Sequence, residues 1–208
     1  MSNLDYLRSF ITSDNSIIDK IEKESMGRDD LQPHVEPETG KFLSFIIKLL
    51  NATNVLELGT GIGNSSIWIG EALKEKNGKL ITIDNHPRTK FEAEKNILDS
   101  GLDNIITMIF GNAEDIIDNM CKEKNLQFDI IFQDCGKYLY PLLYEKIITL
   151  VRPGGIIIAD DTLFYINSGV RKNLGRYMDQ YNKIVFADKR LYSTIIPVGH
   201  GLTLSLKL

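Results

Sequence analysis

Val55-Leu56-Glu57-Leu58-Gly59-Thr60-Gly61-Ile62-Gly63 is a short apolar run that breaks into a glycine-rich turn, ahead of a helical pattern starting near Asn64. Such a turn lets backbone approach a ligand closely, and the helix start behind it favours anionic groups. The next run, Leu80-Ile81-Thr82-Ile83, ends on Asp84. Its distance from the turn suits a carboxylate that accepts both ribose hydroxyls of a nucleoside. A tight turn and a solvated strand end would account for either feature alone. A dinucleotide fingerprint sets its third glycine one position later, where Asn64 stands. Glu57 is also a poor neighbour for a pyrophosphate, but it suits the amino end of an amino-acid-bearing cofactor.

A second set of acids follows two later runs. Phe132-Gln133-Asp134-Cys135-Gly136-Lys137 closes one, and Ile158-Ala159-Asp160-Asp161 closes the other. If both ends lie on the rim that carries the glycine turn, three carboxylates converge and repel one another. A cation between them is the simple remedy. Oxygen-only donors suit Mg²⁺ first, with Mn²⁺ or Ca²⁺ as competitors. No His or Cys cluster supports zinc, because His34, His86 and His200 share no ligand spacing. Taken singly, Asp134 reads as a helix cap and Asp161 as a turn cap.

The elements that must position these residues follow from periodicity. Leu4, Leu7, Phe10 and Ile11 share a helical face, as do Ile17, Ile18 and Ile21. A loop with Pro33 and Pro37 precedes a third helix through Phe42, Leu43, Phe45, Ile46, Leu49 and Leu50. Short apolar runs then alternate with helical segments at Val55–Leu58, Leu80–Ile83, Ile105–Phe110, Phe128–Phe132 and Ile156–Ala159. These suit buried parallel strands joined by crossover helices. Beyond Ser168 one more helix is expected, then strands at Ile184–Ala187, Thr194–Ile196 and Leu202–Leu206. The link from Pro197 to Gly201 is too short for a crossover, so the last two pair antiparallel. The expected architecture is α/β, Rossmann-like and doubly wound: a mostly parallel seven-stranded sheet with an antiparallel C-terminal edge hairpin and N-terminal helices.

The 208 residues suit a single domain, with 1–52 as a helical cap or dimerisation region and 53–208 as the core. Hydrophobic residues at 43% and charged residues at 25% exclude disorder and fibrous repeats. No apolar stretch approaches a membrane span and no signal-like N-terminus is visible. Two cysteines, Cys121 and Cys135, make no disulfide framework, which fits a reducing cytoplasm. A net charge of −4 disfavours nucleic acid without excluding a local basic patch.

Glu57-Leu58-Gly59-Thr60-Gly61-Ile62-Gly63 resembles the first motif of class I S-adenosylmethionine-dependent methyltransferases. Together with Asp134, Lys137, Asp160 and Asp161, the chain resembles the cation-dependent O-methyltransferases of the catechol and caffeoyl-coenzyme A type and their small bacterial relatives. The likeness runs from Thr39-Gly40-Lys41 to Gly201-Leu202. It implies that Gly59, Gly61, Gly63, Glu57, Ser65, Asp84 and Asp134 bind the cofactor, with Glu57 and Ser65 at its amino-acid end. It places Gly111-Asn112-Ala113-Glu114 against the adenine. It implies that Asp134, Asp160 and Asp161 hold a divalent cation, and that Lys137, beside Asp134, takes the acceptor proton or stabilises the oxyanion. Asp161 departs from the family pattern, which has Asn there. A homodimer is implied as well.

Two other functions compete with transfer of a methyl group to a small catechol-like hydroxyl. Thr194-Ile195-Ile196-Pro197-Val198-Gly199 also resembles enzymes that methylate a hydroxyuridine at the tRNA wobble position. An NAD-binding oxidoreductase would use the glycine turn but leaves Asp134, Asp160 and Asp161 without a task. Phe164 and Tyr165 are candidates to stack on an aromatic acceptor. Trp68 reads as core, and Arg171, Lys172 and Arg176 read as a solvated face.

Overall fold

Residues 2–30, 34–167 and 169–208 are described by the computed structural model, so Pro33 and Ser168 lie outside the described residues. In chain order the elements are α1 (Asn3–Arg8), α2 (Ser16–Ser25), α3 (Pro37–Leu50), β1 (Asn54–Leu58), α4 (Asn64–Lys74), β2 (Lys79–Asp84), α5 (Lys90–Asp99) and β3 (Ile106–Phe110). They continue with α6 (Ala113–Met120), β4 (Phe128–Gln133), α7 (Leu139–Leu150), β5 (Val151–Ala159), α8 (Lys172–Ala187), β6 (Leu191–Ile196) and β7 (Leu202–Lys207). The strands form a seven-stranded sheet in the order β3-β2-β1-β4-β5-β7-β6. The chain divides into two compact units, residues 1–53 with 60–110 and residues 54–59 with 111–208.

In the first unit β2 and β3 pair in parallel. Pro37 opens α3 at a position where its missing N–H costs nothing, and Asn51 closes it in the left-handed conformation. Leu43, Ile46 and Ile47 form the buried stripe of α3. Trp68 of α4 lies against Gly40 so tightly that a β-carbon there would come within 2.7 Å of the indole Cγ. The first helix is shorter than its apolar pattern suggests. It ends at Arg8, and Leu4, Leu7 and Phe10 are exposed.

In the second unit β1 pairs with β4 and β4 with β5, all parallel, while β7 runs antiparallel to both β5 and β6. Leu58 is opposite Gln133, and Gln133 opposite Ala159. Three strands therefore end level, and Gly59, Asp134 and Asp160 emerge side by side. The amide of Asp134 donates to the Leu58 carbonyl at 2.8 Å, and that of Asp160 to the Gln133 carbonyl at 2.9 Å.

One expected strand is a helix. Ile184–Ala187 is the last turn of α8, whose buried residues Met178, Tyr181 and Val185 repeat at helical intervals. A four-residue apolar run cannot by itself distinguish a strand from the end of an amphipathic helix. The strand expected at Thr194–Ile196 is the second half of β6, and its antiparallel pairing with β7 is as expected. Among the described residues no helix is long and apolar enough to cross a membrane.

Candidate active site

The glycine turn is held by the acid that ends β2. Asp84 Oδ2 accepts from the amides of Thr60 at 2.9 Å and Gly61 at 2.8 Å, and Oδ1 accepts from the amide of His86 at 2.7 Å. Thr60 and Thr82 join hydroxyls at 2.7 Å in the interior, and the Asn96 side chain donates to the Ile62 carbonyl at 3.0 Å. Gly63 precedes α4 as its N-cap, and Ser65 is buried in the first turn. The carboxylate that sequence spacing assigns to a ribose is thus also the clamp that shapes the turn. Glu57 is wholly buried in β1. Asn112 caps α6, its side chain accepting from the Glu114 amide at 2.7 Å, and Ala113 is the first residue of that helix.

The ends of β4 and β5 gather the second set. Lys137 Nζ lies 3.1 Å from Asp134 Oδ1 and 2.6 Å from Asp161 Oδ2, and it donates to Tyr140 Oη at 3.1 Å. His200, from the β6–β7 link, brings Nδ1 within 3.3 Å of Asp161 Oδ1. The Phe164 ring packs against His200, with centroids 5.4 Å apart, and its centroid is 5.7 Å from Lys137 Nζ. Asp161 sits at φ 63°, a left-handed conformation that Asn and Asp tolerate best among residues with a β-carbon. Asp160 Oδ1 accepts the Asp161 amide at 2.7 Å.

Charge in this cluster is unbalanced. Burial alone would push the Lys137 ammonium down, but Tyr140, Asp134 and Asp161 outweigh it and hold the lysine well above its ordinary value. These neighbours favour its charged form. Burial, then the charges of Asp134 and Asp161, push Asp160 well above the usual carboxylate range. Burial also raises Asp161, with Asp134 adding to it and Lys137 opposing it.

A divalent oxygen-seeking cation fits this donor set in type and charge. The donors are all carboxylate oxygens, and after burial it is the charges of Asp134 and Asp161 that push Asp160 upward. The three are not already gathered as a metal-binding group, and no other such group occurs among the described residues. The expected convergence is therefore modified: Asp134 and Asp161 meet on Lys137, while Asp160 accepts the Asp161 amide.

The uncompensated charge gives a testable stability effect. Asp160→Asn keeps an oxygen for the Asp161 amide and removes a buried charge. It should raise the thermal midpoint of the ligand-free protein by about 4 °C. Because the folded Asp160 holds its proton to higher pH than the unfolded one, the wild type gains stability as pH falls from neutral toward about 4. The gap between the two proteins should close over that range. Thermal unfolding at a series of pH values checks both, and a lower midpoint for the variant would contradict the charge argument.

Spacing did not single out His200 or Tyr140. His200 reaches Asp161 only because the hairpin returns to β5, and Tyr140 carried no motif beyond lying one helical turn after Lys137. Trp68 is core, as its pattern suggested, and Arg171, Lys172 and Arg176 are exposed.

Comparison with known proteins places the chain in a family. A family model described as O-methyltransferase matches residues 9–208. Catechol O-methyltransferase of Niastella koreensis is 40% identical over 129 residues, a match spanning 62% of this chain and 58% of that protein, less than two thirds of its length. Caffeoyl-CoA O-methyltransferase of Populus kitakamiensis is 32% identical over 184 residues, spanning 84% of this chain and 78% of that one. The crystal structure of an O-methyltransferase from Bacillus cereus in complex with SAH superposes with a TM-score of 0.85 at 25% identity, covering 98% of this chain and 96% of that one. With nearly its whole length matched by the family model, and with carboxylates and a lysine at the ends of β4 and β5, the chain belongs to the O-methyltransferase family.

Proposed function

We propose that this chain transfers the methyl group of S-adenosylmethionine to a hydroxyl of a small catechol-like acceptor, with a divalent cation assisting. The observation that carries the reading is the cluster of Asp134, Lys137, Asp160 and Asp161 at two level strand ends, in a chain of O-methyltransferase ancestry. Residues 1–208 act as one methyltransferase domain. Asp84 takes the ribose, Glu57 and Ser65 the amino-acid end, and Asn112 and Ala113 the adenine side. The turn at Gly59, Gly61 and Gly63 approaches the sulfonium, with Asp134 beside it.

Asp134, Asp160 and Asp161 would hold the cation, Mg²⁺ before Mn²⁺ or Ca²⁺. Once bound, it supplies the positive charge that makes an acceptor hydroxyl acidic near neutral pH. Lys137, kept charged by its neighbours, stabilises the resulting oxyanion. That oxygen, its proton released to solvent, attacks the methyl carbon in line as the carbon–sulfur bond breaks, leaving S-adenosylhomocysteine. Alignment of the two reactants supplies much of the rate. A second copy of the chain would pair through the exposed apolar residues of α1 and α3, Tyr6, Leu7, Phe45 and Leu49, in a cytoplasmic homodimer.

Calorimetric titration tests the reading. S-adenosylmethionine should bind and NAD should not, and 3,4-dihydroxybenzoate should bind the cofactor-saturated protein only when Mg²⁺ is present. Asp84→Asn should weaken S-adenosylmethionine binding roughly ten- to a hundredfold, the loss of hydrogen bonds to a charged acceptor. Binding of NAD alone, or cofactor binding indifferent to Asp84, would overturn it.

A further inference from the structure

The ammonium of Lys137 has three N–H bonds and three oxygens to receive them. Two belong to Asp134 and Asp161, on the strand-end loops. The third is Tyr140 Oη on α7, and Tyr140 is wholly buried. That hydroxyl has its own proton committed, since it donates to the Gln133 carbonyl at 2.7 Å. The same carbonyl accepts the Asp160 amide at 2.9 Å. With its proton spent in one direction, the phenol can only offer a lone pair to Lys137.

The ring is fixed as firmly as the hydroxyl. Tyr181 packs edge-on against it with centroids 5.4 Å apart, and Tyr181 Oη bonds Gln133 Oε1 at 3.2 Å. Lys137 Nζ lies 5.0 Å from the Tyr140 ring centroid, so ring and hydroxyl both face the cation. A phenylalanine would fill the same space in the core. What it would lack is the uncharged oxygen that α7 offers to Lys137.

We propose that Tyr140 is a positioning residue that orients the Lys137 ammonium toward the reacting oxygen. The proposal rests on the function argued above, because Asp134 and Asp161 are the residues assigned there to a cation. Were a cation to engage those carboxylates, Tyr140 would be the acceptor left to Lys137. The neutral oxygen keeps the lysine in place without cancelling the charge that it must present to an oxyanion.

Two readouts on Tyr140→Phe test this, one of them independent of methyl transfer. In ¹⁵N-labelled protein a buried, triply bonded ammonium gives a slowly exchanging lysine signal, assigned to Lys137 by its absence from Lys137→Arg. In Tyr140→Phe that signal should broaden or shift. With S-adenosylmethionine, Mg²⁺ and 3,4-dihydroxybenzoate, kcat should fall roughly ten- to a hundredfold while the acceptor KM stays within about threefold. An unchanged Lys137 signal overturns the proposal, as does an unchanged kcat or a joint loss of kcat and cofactor affinity. Should Tyr140→Phe not fold, 3-fluorotyrosine at position 140 keeps the ring and weakens the oxygen as an acceptor; a Lys137 signal that does not shift is then the overturning result. If the wild type methylates no catechol, the proposed function fails by itself and the ammonium signal alone decides Tyr140.

Discussion

Lys137→Met is expected to reduce methyl transfer about 10³-fold while S-adenosylmethionine still binds within a few fold of wild type. The size follows from where the charge sits. Lys137 is buried with its ammonium against two carboxylates and a phenol, in surroundings where a fixed cation acts far more strongly on a developing oxyanion than it would in water. Methionine keeps the apolar stem of the side chain and removes the ammonium with its charge and its N–H donors. The variant should also be less stable by about 3 kcal/mol, since Asp134 and Asp161 lose their shared partner. Activity is therefore measured well below its thermal midpoint, beside Lys137→Arg. Arginine restores charge but not the compact geometry, so a partial recovery is expected. A Lys137→Met enzyme with kcat near wild type would remove the lysine from the chemistry.

Gly59→Ala should destabilise the protein by more than about 4 kcal/mol, enough to prevent recovery of folded protein at 37 °C. Gly59 follows β1 at φ 102°, outside the region open to residues with a β-carbon. A methyl group there would overlap the Asp134 carbonyl oxygen and lie 2.7 Å from its carbon. Neither partner can yield. Asp134 is locked by the hydrogen bond its amide donates to the Leu58 carbonyl, and β1 and β4 are paired in register just below. Gly61→Ala is the control. It also has positive φ, at 54°, but a β-carbon there meets nothing within 4 Å, so it should cost only about 1–2 kcal/mol of backbone strain. Urea unfolding of the two variants separates the overlap from the strain. Equal losses would mean that the close approach of Gly59 to Asp134 is not what the glycine serves.

The strands, the glycine turn and the acids that end β2, β4 and β5 were legible in the sequence because each rests on local physics. Side-chain periodicity marks a buried strand, and glycine spacing marks a tight turn. Strands of like direction in one sheet bring their ends to a common rim. Ile184–Ala187 was misread for the same reason, since four apolar residues carry too little of a period to identify α8. What only tertiary structure decided is how the charges pair. Asp161 is claimed by Lys137 and approached by His200, which lies 39 residues further on, and Tyr140 anchors the lysine through the Gln133 carbonyl. These partners are set by strand register and by the return of the β6–β7 hairpin onto β5. Residue type and spacing determine which groups carry charge. Which of them neutralise one another depends on distances of a few ångströms between segments far apart in the chain, and folding alone sets those.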